Sequence, residues 1–437
     1  MSSSVTVYPV SSLHGTLSLP GDKSVSHRAI IFSALAEGTT RILNLLEGED
    51  VLCTIECFRA MGVSIEKDGD EWVVRGVGLR GLKAPLKTLY CGNSGTTTRL
   101  LMGILAAQPF ESALTGDASL NRRPMKRVMD PLSQMGASFF VEGEGTPQRV
   151  IRVKGGKLKG ISYVSPVASA QVKSALLLAG LWAEGETSVS EPSLSRDHTE
   201  RIFASSGVPF KREGTRVTIS APGKIQLPSR LHVPGDFSSA AFFMVAGSIV
   251  SKAKVTLQEV GLNPTRTGAL EVLKDMGATI EIKDLRMEGG EEVGTLVMTP
   301  APLSAQSMGG DLIPRLIDEI PILAVAAARA NGQTVIRDAA ELKVKESDRI
   351  HVLSHLLSQI GVKVEEKPDG LVIEGGAVFQ PAETESFGDH RMAMSMAIAA
   401  LVAQGPIKIN DIECVKTSFP AFWESLKKLG VKLQEGG

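Results

Sequence analysis

The stretch that decides the fold covers residues 19–28 and reads Leu19-Pro20-Gly21-Asp22-Lys23-Ser24-Val25-Ser26-His27-Arg28. Its Pro-Gly-Asp turn predicts the start of a helix that continues into an apolar run. Ser24 and Arg28 are four residues apart and share one helix face, with Lys23 beside them. Free backbone N–H groups, the positive end of the helix and two cations together predict an anion site. Taken alone, the same stretch is also typical of a capped surface helix with solvated charges.

A second copy of this turn begins the other half of the chain. Pro234-Gly235-Asp236 is followed by Ser238 and again by an apolar helix. Two identical turns about half a chain apart predict crossovers between two lobes, near 20–22 and 234–236. We expect one lobe to cover residues 21–233 and the other to combine residues 1–20 with 234–437. A cleft between two such lobes is a common place for a ligand site.

A helix that ends in glycine, followed by a small or branched residue and a short strand, recurs along the whole chain. The glycines are Gly62, Gly136, Gly207, Gly277, Gly361 and Gly430, with spacings of 74, 71, 70, 84 and 69 residues. Each is expected at the position just after a helix, where a positive φ angle favours glycine. The chain therefore reads as six helix–strand–helix–strand units of roughly 70 residues, and we predict a symmetric α/β architecture.

Composition and charge exclude several classes of partner. A net charge of −1 over 437 residues gives no overall field that would attract nucleic acid or an anionic membrane. No apolar run approaches the roughly 20 residues that a bilayer-spanning helix needs, and residues 1–6 show no signal-peptide pattern. The four cysteines lack framework spacing and read as reduced thiols, which predicts the cytoplasm. With no histidine near Cys53 and Cys57, we expect no zinc site.

Five further segments place polar or cationic side chains at predicted helix starts. They are Cys91-Gly92-Asn93-Ser94-Gly95-Thr96-Thr97-Thr98-Arg99, Asn121-Arg122-Arg123-Pro124-Met125-Lys126-Arg127, Ser169-Ala170-Gln171-Val172-Lys173, Lys343-Val344-Lys345-Glu346-Ser347-Asp348-Arg349-Ile350 and Gly388-Asp389-His390-Arg391. Ser169 and Lys173 share a face, a combination that suits a phosphate, and Lys345 and Glu346 are expected on the same helix as Arg349. Each segment alone is equally typical of capping, a solvated face or an intrahelical salt-bridge ladder.

Asp318 is the acidic exception among these basic helix starts. It precedes an apolar helix with Pro321 in the first turn, so local sequence favours a helix N-cap. Among cations it would also be available as a base. Taken together, helix starts rich in Lys, Arg, Ser and Gln predict binding of two small ligands that carry phosphate or carboxylate groups.

The motifs quoted above, with Lys-Ser-x-Ser-His-Arg, Lys-Glu-Ser-Asp-Arg and Asp-His-Arg-Met the most specific, resemble those of the 5-enolpyruvylshikimate-3-phosphate (EPSP) synthases from about Leu19 to Pro420. The resemblance implies transfer of the enolpyruvyl group of phosphoenolpyruvate to the 5-hydroxyl of shikimate 3-phosphate, with release of phosphate by addition–elimination. It implies a two-lobed inside-out α/β barrel of six βαβαββ repeats, three per lobe, which closes on its substrates. It implies no metal and no organic cofactor. We expect a monomer.

Site residues follow from the resemblance, position by position. The residues implied to bind shikimate 3-phosphate are Lys23, Ser24, Arg28, Ser169, Gln171, Ser195, Arg196, Asp318 and Lys345. The residues implied to bind phosphoenolpyruvate are Lys23, Asn93, Gly95, Arg123, Gln171, Arg349, Arg391 and Lys416. Asp318 is implied as the base for the 5-hydroxyl, and Glu346 or Lys23 as the acid at C3. Arg349 and Arg391 are expected to clamp carboxylate and phosphate bidentately.

This chain departs from the family pattern at several positions. Ala170 replaces a phosphate-binding serine, His198 a tyrosine, Glu341 an asparagine and Leu100 a proline, and either Lys416 or Thr417 matches a lysine of the family. These features are similar to a divergent bacterial branch. Two alternatives remain: an enolpyruvyl transferase acting on UDP-N-acetylglucosamine, to which Gly116-Asp117-Ala118 has a shallow similarity, and a non-catalytic ligand sensor that keeps the scaffold.

Overall fold

The computed structural model describes residues 3–436 and has a mixed α/β fold in which helices and strands alternate in repeated units. The chain divides into two compact units. The central unit contains residues 21–234 together with 287–291, and the terminal unit contains the remaining described residues. The short segment 287–291 departs from the predicted lobe boundaries. It is the tip of a hairpin whose two strands otherwise belong to the terminal unit.

The terminal unit begins with two strands from the start of the chain. They are β1 (Ser4–Val7) and β2 (Leu13–Ser18). The helices of the central unit are α1 (Lys23–Leu35), α2 (Glu49–Ala60), α3 (Gly95–Leu105), α4 (Ala118–Arg122), α5 (Lys126–Gln134), α6 (Ala170–Gly180) and α7 (His198–Ser206). Its strands are β3 (Glu37–Leu43), β4 (Ser64–Asp68), β5 (Glu71–Val77), β6 (Leu89–Tyr90), β7 (Glu111–Thr115), β8 (Ser138–Glu142), β9 (Val150–Lys154), β10 (Ser162–Val164), β11 (Glu186–Ser190), β12 (Phe210–Glu213), β13 (Arg216–Ser220) and β14 (Arg230–His232).

The terminal unit continues after the second Pro-Gly-Asp turn. Its helices are α8 (Phe237–Ile249), α9 (Gly268–Asp275), α10 (Ile313–Leu316), α11 (Ile320–Arg329), α12 (Arg349–Gln359), α13 (His390–Ala400) and α14 (Phe422–Lys428). Its later strands are β15 (Ala253–Gly261), β16 (Thr279–Glu288), β17 (Glu291–Thr299), β18 (Ser307–Met308), β19 (Gln333–Ile336), β20 (Val364–Lys367), β21 (Gly370–Glu374), β22 (Ala382–Glu385), β23 (Ile407–Asn410) and β24 (Leu433–Gly436). Short 3₁₀ helices cover Gly310–Leu312, Ala340–Val344 and Ile412–Thr417.

Within residues 3–436 the strands form six four-stranded sheets, three in each unit, all with the same order. Each sheet has one parallel pair of strands at an edge, as in β6 with β7. In that sheet β9 is antiparallel to both of its neighbours, β7 and β8. The first repeat of the central unit obtains its parallel strand from the far end of that unit, where β14 pairs with β3. In the terminal unit β2 pairs with β15, and β1 lies between β23 and β24. The predicted repeats are therefore confirmed.

Three apolar helices form the centre of each unit, with the sheets outside them. In the central unit these are α1, α3 and α6, and in the terminal unit α8, α11 and α13, none of which has an exposed residue. A helix that is apolar on all sides is stable only when it is buried. Gly103 allows α3 and α6 to approach closely, because a Cβ there would lie 2.1 Å from the carbonyl oxygen of Ala175. In α1, α3 and α6 the partly buried positions are confined to the first turn, where the polar side chains are.

Local signals in the sequence are confirmed at both the starts and the ends of helices. Asp22 caps α1 by accepting from the backbone N–H of Val25 at 2.9 Å, and Asp236 does the same for Ser239 in α8. The six repeat glycines all have positive φ angles, between 73° and 114°. The four cysteines are free thiols. Among the helices of residues 3–436, none combines the length and apolar character needed to span a membrane.

Candidate active site

The start of α1 carries the first group of predicted site residues in the central unit. Lys23 Nζ pairs with Asp50 Oδ2 at 3.1 Å, and both side chains are largely buried. Arg28 lies one turn later and is 3% exposed. Its guanidinium donates to Thr199 Oγ1 and Ser174 Oγ at 2.8 Å each, and to the carbonyl of Ser24 at 2.9 Å. These contacts fix Arg28 in place without a carboxylate partner among them.

Burial lowers the pKa of Arg28 to about 10, although the negative charges of Glu200 and Asp22 oppose that shift. The positive charge of Arg196 lowers the pKa further. A buried guanidinium whose hydrogen bonds go to neutral groups favours binding of an anion, because those groups do not neutralise its charge. The geometry therefore agrees with an anion site at this helix start.

The start of α3 brings Asn93, Gly95 and Arg123 together. Asn93 Nδ2 donates to Asp117 Oδ2 at 2.6 Å, and the amide oxygen of Asn93 accepts from Arg123 Nη2. Gly95 is the first residue of the helix, where Ser94 caps the backbone N–H of Thr97. A Cβ on Gly95 would lie 2.7 Å from Arg99 Nη1 and 3.4 Å from Arg123 Nη1. Glycine thus leaves room for two guanidinium groups beside free helix N–H groups.

Arg99 ends the segment predicted at this helix start, but it was not among the residues predicted to bind a ligand. It is 4% exposed and donates through Nη1 to the side-chain oxygen of Gln171. Gln171, in the first turn of α6, also donates to Thr96 Oγ1 at 3.0 Å. The starts of α3 and α6 are thus joined by Arg99 and Gln171. Arg99 lies four residues after Gly95 and therefore on the same helix face, and this spacing could have identified it as a site residue from the sequence.

The start of α6 differs from the prediction at Lys173. Ser169 occupies the N-cap position, but the Lys173 side chain does not lie beside it as a phosphate-binding cation. Lys173 is 1% exposed, and its Nζ pairs with Glu191 Oε2 at 2.9 Å and Glu200 Oε1 at 2.8 Å. Burial alone would lower the pKa of Lys173, but the two carboxylates reverse this and raise it. Lys173 is therefore a buried, charged lysine whose ammonium group is paired with carboxylates inside the protein.

The loop before α7 contains Ser195 and Arg196. Ser195 is buried, and its hydroxyl donates to Glu191 Oε2 at 2.8 Å. Arg196 is half-buried and lies close enough to influence the charge on Arg28. His198, which stands where part of the family has a tyrosine, is buried with its Nδ1 2.7 Å from Glu291 Oε1. That contact engages one of its ring nitrogens inside the protein.

Arg349 is the centre of the charged group in the terminal unit. It is 1% exposed and donates to both oxygens of Asp389, through Nε at 2.7 Å and Nη2 at 3.2 Å. Nη2 also donates to Glu346 Oε2 at 2.6 Å, and Nη1 to Asp318 Oδ1 at 3.3 Å. Burial alone would lower the pKa of Arg349, but Asp389, Glu346 and Asp318 together raise it. Because a guanidinium has five N–H donors, one is left for a ligand. For Arg349 to bind a ligand bidentately, one of these three carboxylates has to give up its hydrogen bond to the guanidinium.

Two local predictions around Arg349 are wrong. Asp318 does not cap α11, because Glu319 occupies the N-cap position and makes no side-chain capping bond. The Asp318 carboxylate instead pairs with Lys345 Nζ and Arg349 Nη1, both at 3.3 Å. Lys345 and Glu346 are not on α12, which begins at Arg349, and Lys345 has extended backbone. Tertiary pairing, rather than helix spacing, therefore brings the three charges together.

Arg391 is in the first turn of α13, and its Nη1 lies 3.8 Å from the buried carboxylate of Glu319. Glu319 also accepts from the hydroxyl of Ser238, which in turn accepts from Arg266 Nη2 at 2.7 Å. Glu319 and Arg266 were not predicted as site residues. The sequence gave no signal for Arg266, because its contacts with Ser238 and Asp236 join residues that are about 30 positions apart in the chain.

Lys416 is the least constrained of the predicted site residues. Its Nζ pairs with Glu413 on the same 3₁₀ helix, and its side chain is 57% exposed. The adjacent Thr417 lies 3.4 Å from His390 Nδ1 and donates to the carbonyl of Cys414 at 2.7 Å. Which of the two positions meets phosphoenolpyruvate stays a prediction. Leu100 is fully buried in α3, so its side chain belongs to the core.

Each unit therefore assembles its own share of the predicted residues. The central unit brings together the starts of α1, α3, α6 and α7 through the contacts of Arg28, Arg99 and Gln171. The terminal unit gathers Asp318, Lys345, Glu346 and Arg349. Among residues 3–436, no group of three or more His, Cys, Asp or Glu side chains is arranged to hold a metal ion.

Comparisons with known proteins identify the family of this chain. The family model described as EPSP synthase (3-phosphoshikimate 1-carboxyvinyltransferase) matches residues 7–426. A 3-phosphoshikimate 1-carboxyvinyltransferase of Desulforamulus reducens is 54% identical, over 98% of this chain and all of that protein. One from Bacillus thuringiensis is 51% identical over 97% of this chain and 99% of its own length. A solved EPSP synthase from Acinetobacter baumannii superposes with a TM-score of 0.88 at 48% identity, covering all of both chains. This chain belongs to the EPSP synthase family.

Proposed function

We propose that this chain transfers the enolpyruvyl group of phosphoenolpyruvate to the 5-hydroxyl of shikimate 3-phosphate and releases phosphate, a step in the biosynthesis of aromatic amino acids. Membership of the EPSP synthase family supports this activity and favours it over transfer to UDP-N-acetylglucosamine. The observation that carries the residue roles is the contact of Asp318 and Glu346 with one buried guanidinium, that of Arg349. Two carboxylates held beside a cation give a candidate base and a candidate acid in fixed places.

Shikimate 3-phosphate has a phosphate group and a ring that carries hydroxyls, and different residues are proposed to bind each part. Its 3-phosphate is assigned to Ser169, Gln171, Ser195 and Arg196. Lys23, Ser24 and Arg28 hold the same substrate, and Asp318 and Lys345 contact its ring. Arg28 supports the assignment, because its guanidinium is buried and donates to the neutral oxygens of Ser24, Ser174 and Thr199. Serine hydroxyls and helix N–H groups add donors without adding charge.

Phosphoenolpyruvate carries a carboxylate and a phosphate, which calls for several cations. Asn93, Gly95 and Arg123 at the start of α3 are assigned to it, with Lys23, Gln171, Arg349, Arg391 and Lys416. Arg123 and Arg99 converge on the space above Gly95, which supports an anion there. Arg349 can bind bidentately if one of its three carboxylate partners leaves it. We assign this to Asp318, which then turns from Nη1 towards the sugar hydroxyl, where it is needed as a base.

The chemistry is an addition followed by an elimination. The 5-hydroxyl oxygen bonds to C2 of phosphoenolpyruvate, its proton goes to Asp318, and C3 gains a proton from Glu346 or Lys23. In the tetrahedral adduct the bond between C2 and the phosphate oxygen then breaks, phosphate leaves, and C3 gives up a proton to restore the double bond. General acid–base help of this kind contributes about 10²- to 10⁴-fold in rate.

The chain is also proposed to act as a monomer in the cytoplasm. Four free thiols, two of them buried, support a reducing compartment, where thiols persist. The near-neutral net charge supports small-molecule substrates rather than nucleic acid or anionic membrane.

Phosphate release by the purified chain tests the activity. With phosphoenolpyruvate present, we expect turnover when shikimate 3-phosphate is the acceptor and none when UDP-N-acetylglucosamine replaces it. The product should carry the enolpyruvyl ether at the 5-oxygen, which mass spectrometry and NMR identify. Turnover with the nucleotide sugar alone, or tight binding of shikimate 3-phosphate without any turnover, would refute the proposal.

A further inference from the structure

Glu191 is a buried carboxylate that joins two serines of the proposed 3-phosphate site. Its side chain has no exposed surface, and it follows directly after β11. Oε1 accepts from the backbone N–H of Ser169 at 3.0 Å, and Oε2 accepts from the Ser195 hydroxyl at 2.8 Å. One side chain thus holds the N-cap of α6 and the loop before α7, two segments that are not adjacent in the chain.

Lys173 makes this arrangement electrostatically tolerable. Its Nζ lies 2.9 Å from Glu191 Oε2 and 2.8 Å from Glu200 Oε1, and it donates to the carbonyl of Ser195 at 3.4 Å. A buried ion pair is retained when its charges are fully hydrogen-bonded. Ser195 is therefore held at both ends, its hydroxyl by Glu191 and its carbonyl by Lys173.

We propose that Glu191 is a positioning residue for the 3-phosphate group of shikimate 3-phosphate, an inference that rests on the proposed function. Glu191 does not touch the phosphate, since both are anionic acceptors. By holding the N–H of Ser169, it fixes the orientation of the residue that begins α6. The next N–H groups, on Ala170 and Gln171, have no partner inside the helix and are then presented together to an anion.

The hydroxyl of Ser195 has to change its hydrogen-bond acceptor when the substrate binds. A hydroxyl has one proton, and Ser195 donates it to Glu191 in this structure. A phosphate dianion only accepts, so Ser195 has to exchange Glu191 for the phosphate when the substrate binds. Lys173 keeps its contact with Glu191 Oε2 during that exchange, so the carboxylate never lacks a counter-charge. Ser195 is held ready near the site instead of being bonded to water.

Two substitutions that each remove one carboxylate from Lys173 separate positioning from general stabilisation. Glu191→Gln removes the charge that holds Ser195 and Ser169. Glu200→Gln removes the other partner of Lys173, and Glu200 pairs with Lys173 without holding either serine. Thermal unfolding should show comparable losses of stability for both. Calorimetry should show weaker binding of shikimate 3-phosphate by about tenfold or more for Glu191→Gln only, since bonds to charged groups are the stronger ones.

Steady-state kinetics give the second readout. For Glu191→Gln we expect the KM for shikimate 3-phosphate to rise about as much as its dissociation constant, while the KM for phosphoenolpyruvate changes less than about threefold. If Glu191→Gln does not fold, Glu191→Asp takes its place. Aspartate keeps a negative charge beside Lys173, but its side chain is one methylene too short to reach both serines. It should weaken binding in the same selective way.

The outcomes are distinct. Unchanged binding of shikimate 3-phosphate in the folded Glu191 variant, or an equal loss in Glu200→Gln, overturns the positioning role while the proposed function stands. A wild-type chain that neither binds nor turns over shikimate 3-phosphate overturns the proposed function and this inference with it.

Discussion

Replacing Asp318 by asparagine is the sharpest test of the proposed chemistry. The amide keeps the size of the carboxyl group but cannot take a proton from the 5-hydroxyl. If Asp318 is the base, kcat should fall by about 10²- to 10⁴-fold, which corresponds to about 2.7–5.5 kcal/mol of activation free energy. The KM for shikimate 3-phosphate should change by less than about tenfold, because the other proposed contacts of that substrate remain.

The structure sets the size of the competing effect. Asp318 is paired with Lys345 and Arg349 at 3.3 Å, and the Asp318 and Lys345 side chains are 14% and 25% exposed. The Asp318–Lys345 pair is partly exposed and contributes on the order of 1 kcal/mol or less to stability. Arg349 stays anchored by Asp389 and Glu346 in the variant. Loss of the ion pairs alone therefore lowers the melting temperature modestly and leaves the active arrangement largely in place.

The assay is phosphate release at saturating concentrations of both substrates, measured between pH 5 and 9. Wild-type kcat should decline on the acid side, where a base becomes protonated, and that decline should disappear in Asp318→Asn. Asp348→Asn is the matched control: Asp348 is exposed and caps α12 at 3.2 Å, a role that asparagine also fills. Its kcat should stay within about twofold of wild type. If kcat of Asp318→Asn stays within about threefold of wild type, Asp318 is not the base.

Three further predictions follow from packing and charge. Gly95→Ala places a methyl 2.7 Å from Arg99 Nη1, so the KM for phosphoenolpyruvate should rise about tenfold or more without loss of thermal stability; an unchanged KM would contradict the placement of that substrate. Arg28→Lys loses the separate contacts to Thr199 and Ser174, so calorimetry should show about tenfold weaker binding of shikimate 3-phosphate, and equal affinity would remove Arg28 from the site. Burial raises the pKa of Cys53 and Cys414 from 9.0 to about 12, so at pH 8 each has about 10³-fold less thiolate than an ordinary thiol. Their alkylation by iodoacetamide in the folded chain should be slow at pH 8 and accelerate about tenfold per pH unit up to pH 10, whereas rapid labelling at pH 8 would show that their pKa values are not raised.

Features encoded by neighbouring residues were predictable from the sequence. Asp22 and Asp236 cap their helices through bonds that span three residues, so both partners of each bond lie within the local sequence. The six repeat glycines adopt positive φ angles because a side chain at that position after a helix is strained. The spacing of these local signals was enough to reveal six repeats, and the motif residues at helix starts were enough to indicate the family.

Partnerships between distant residues were decided only by the tertiary structure. The sequence suggested that Asp318 caps a helix and that Lys345 shares a helix with Arg349, yet the fold pairs Asp318 with Lys345, with a helix and a strand between them in the chain. Lys173 has helix spacing from Ser169, but two glutamates 18 and 27 residues further along draw it into the core. Charges are long-ranged and their burial is costly unless they are paired, so the partner of a buried charge depends on which segments folding brings close. Local sequence specifies where a helix starts; which ion pairs form there is a property of the packed chain.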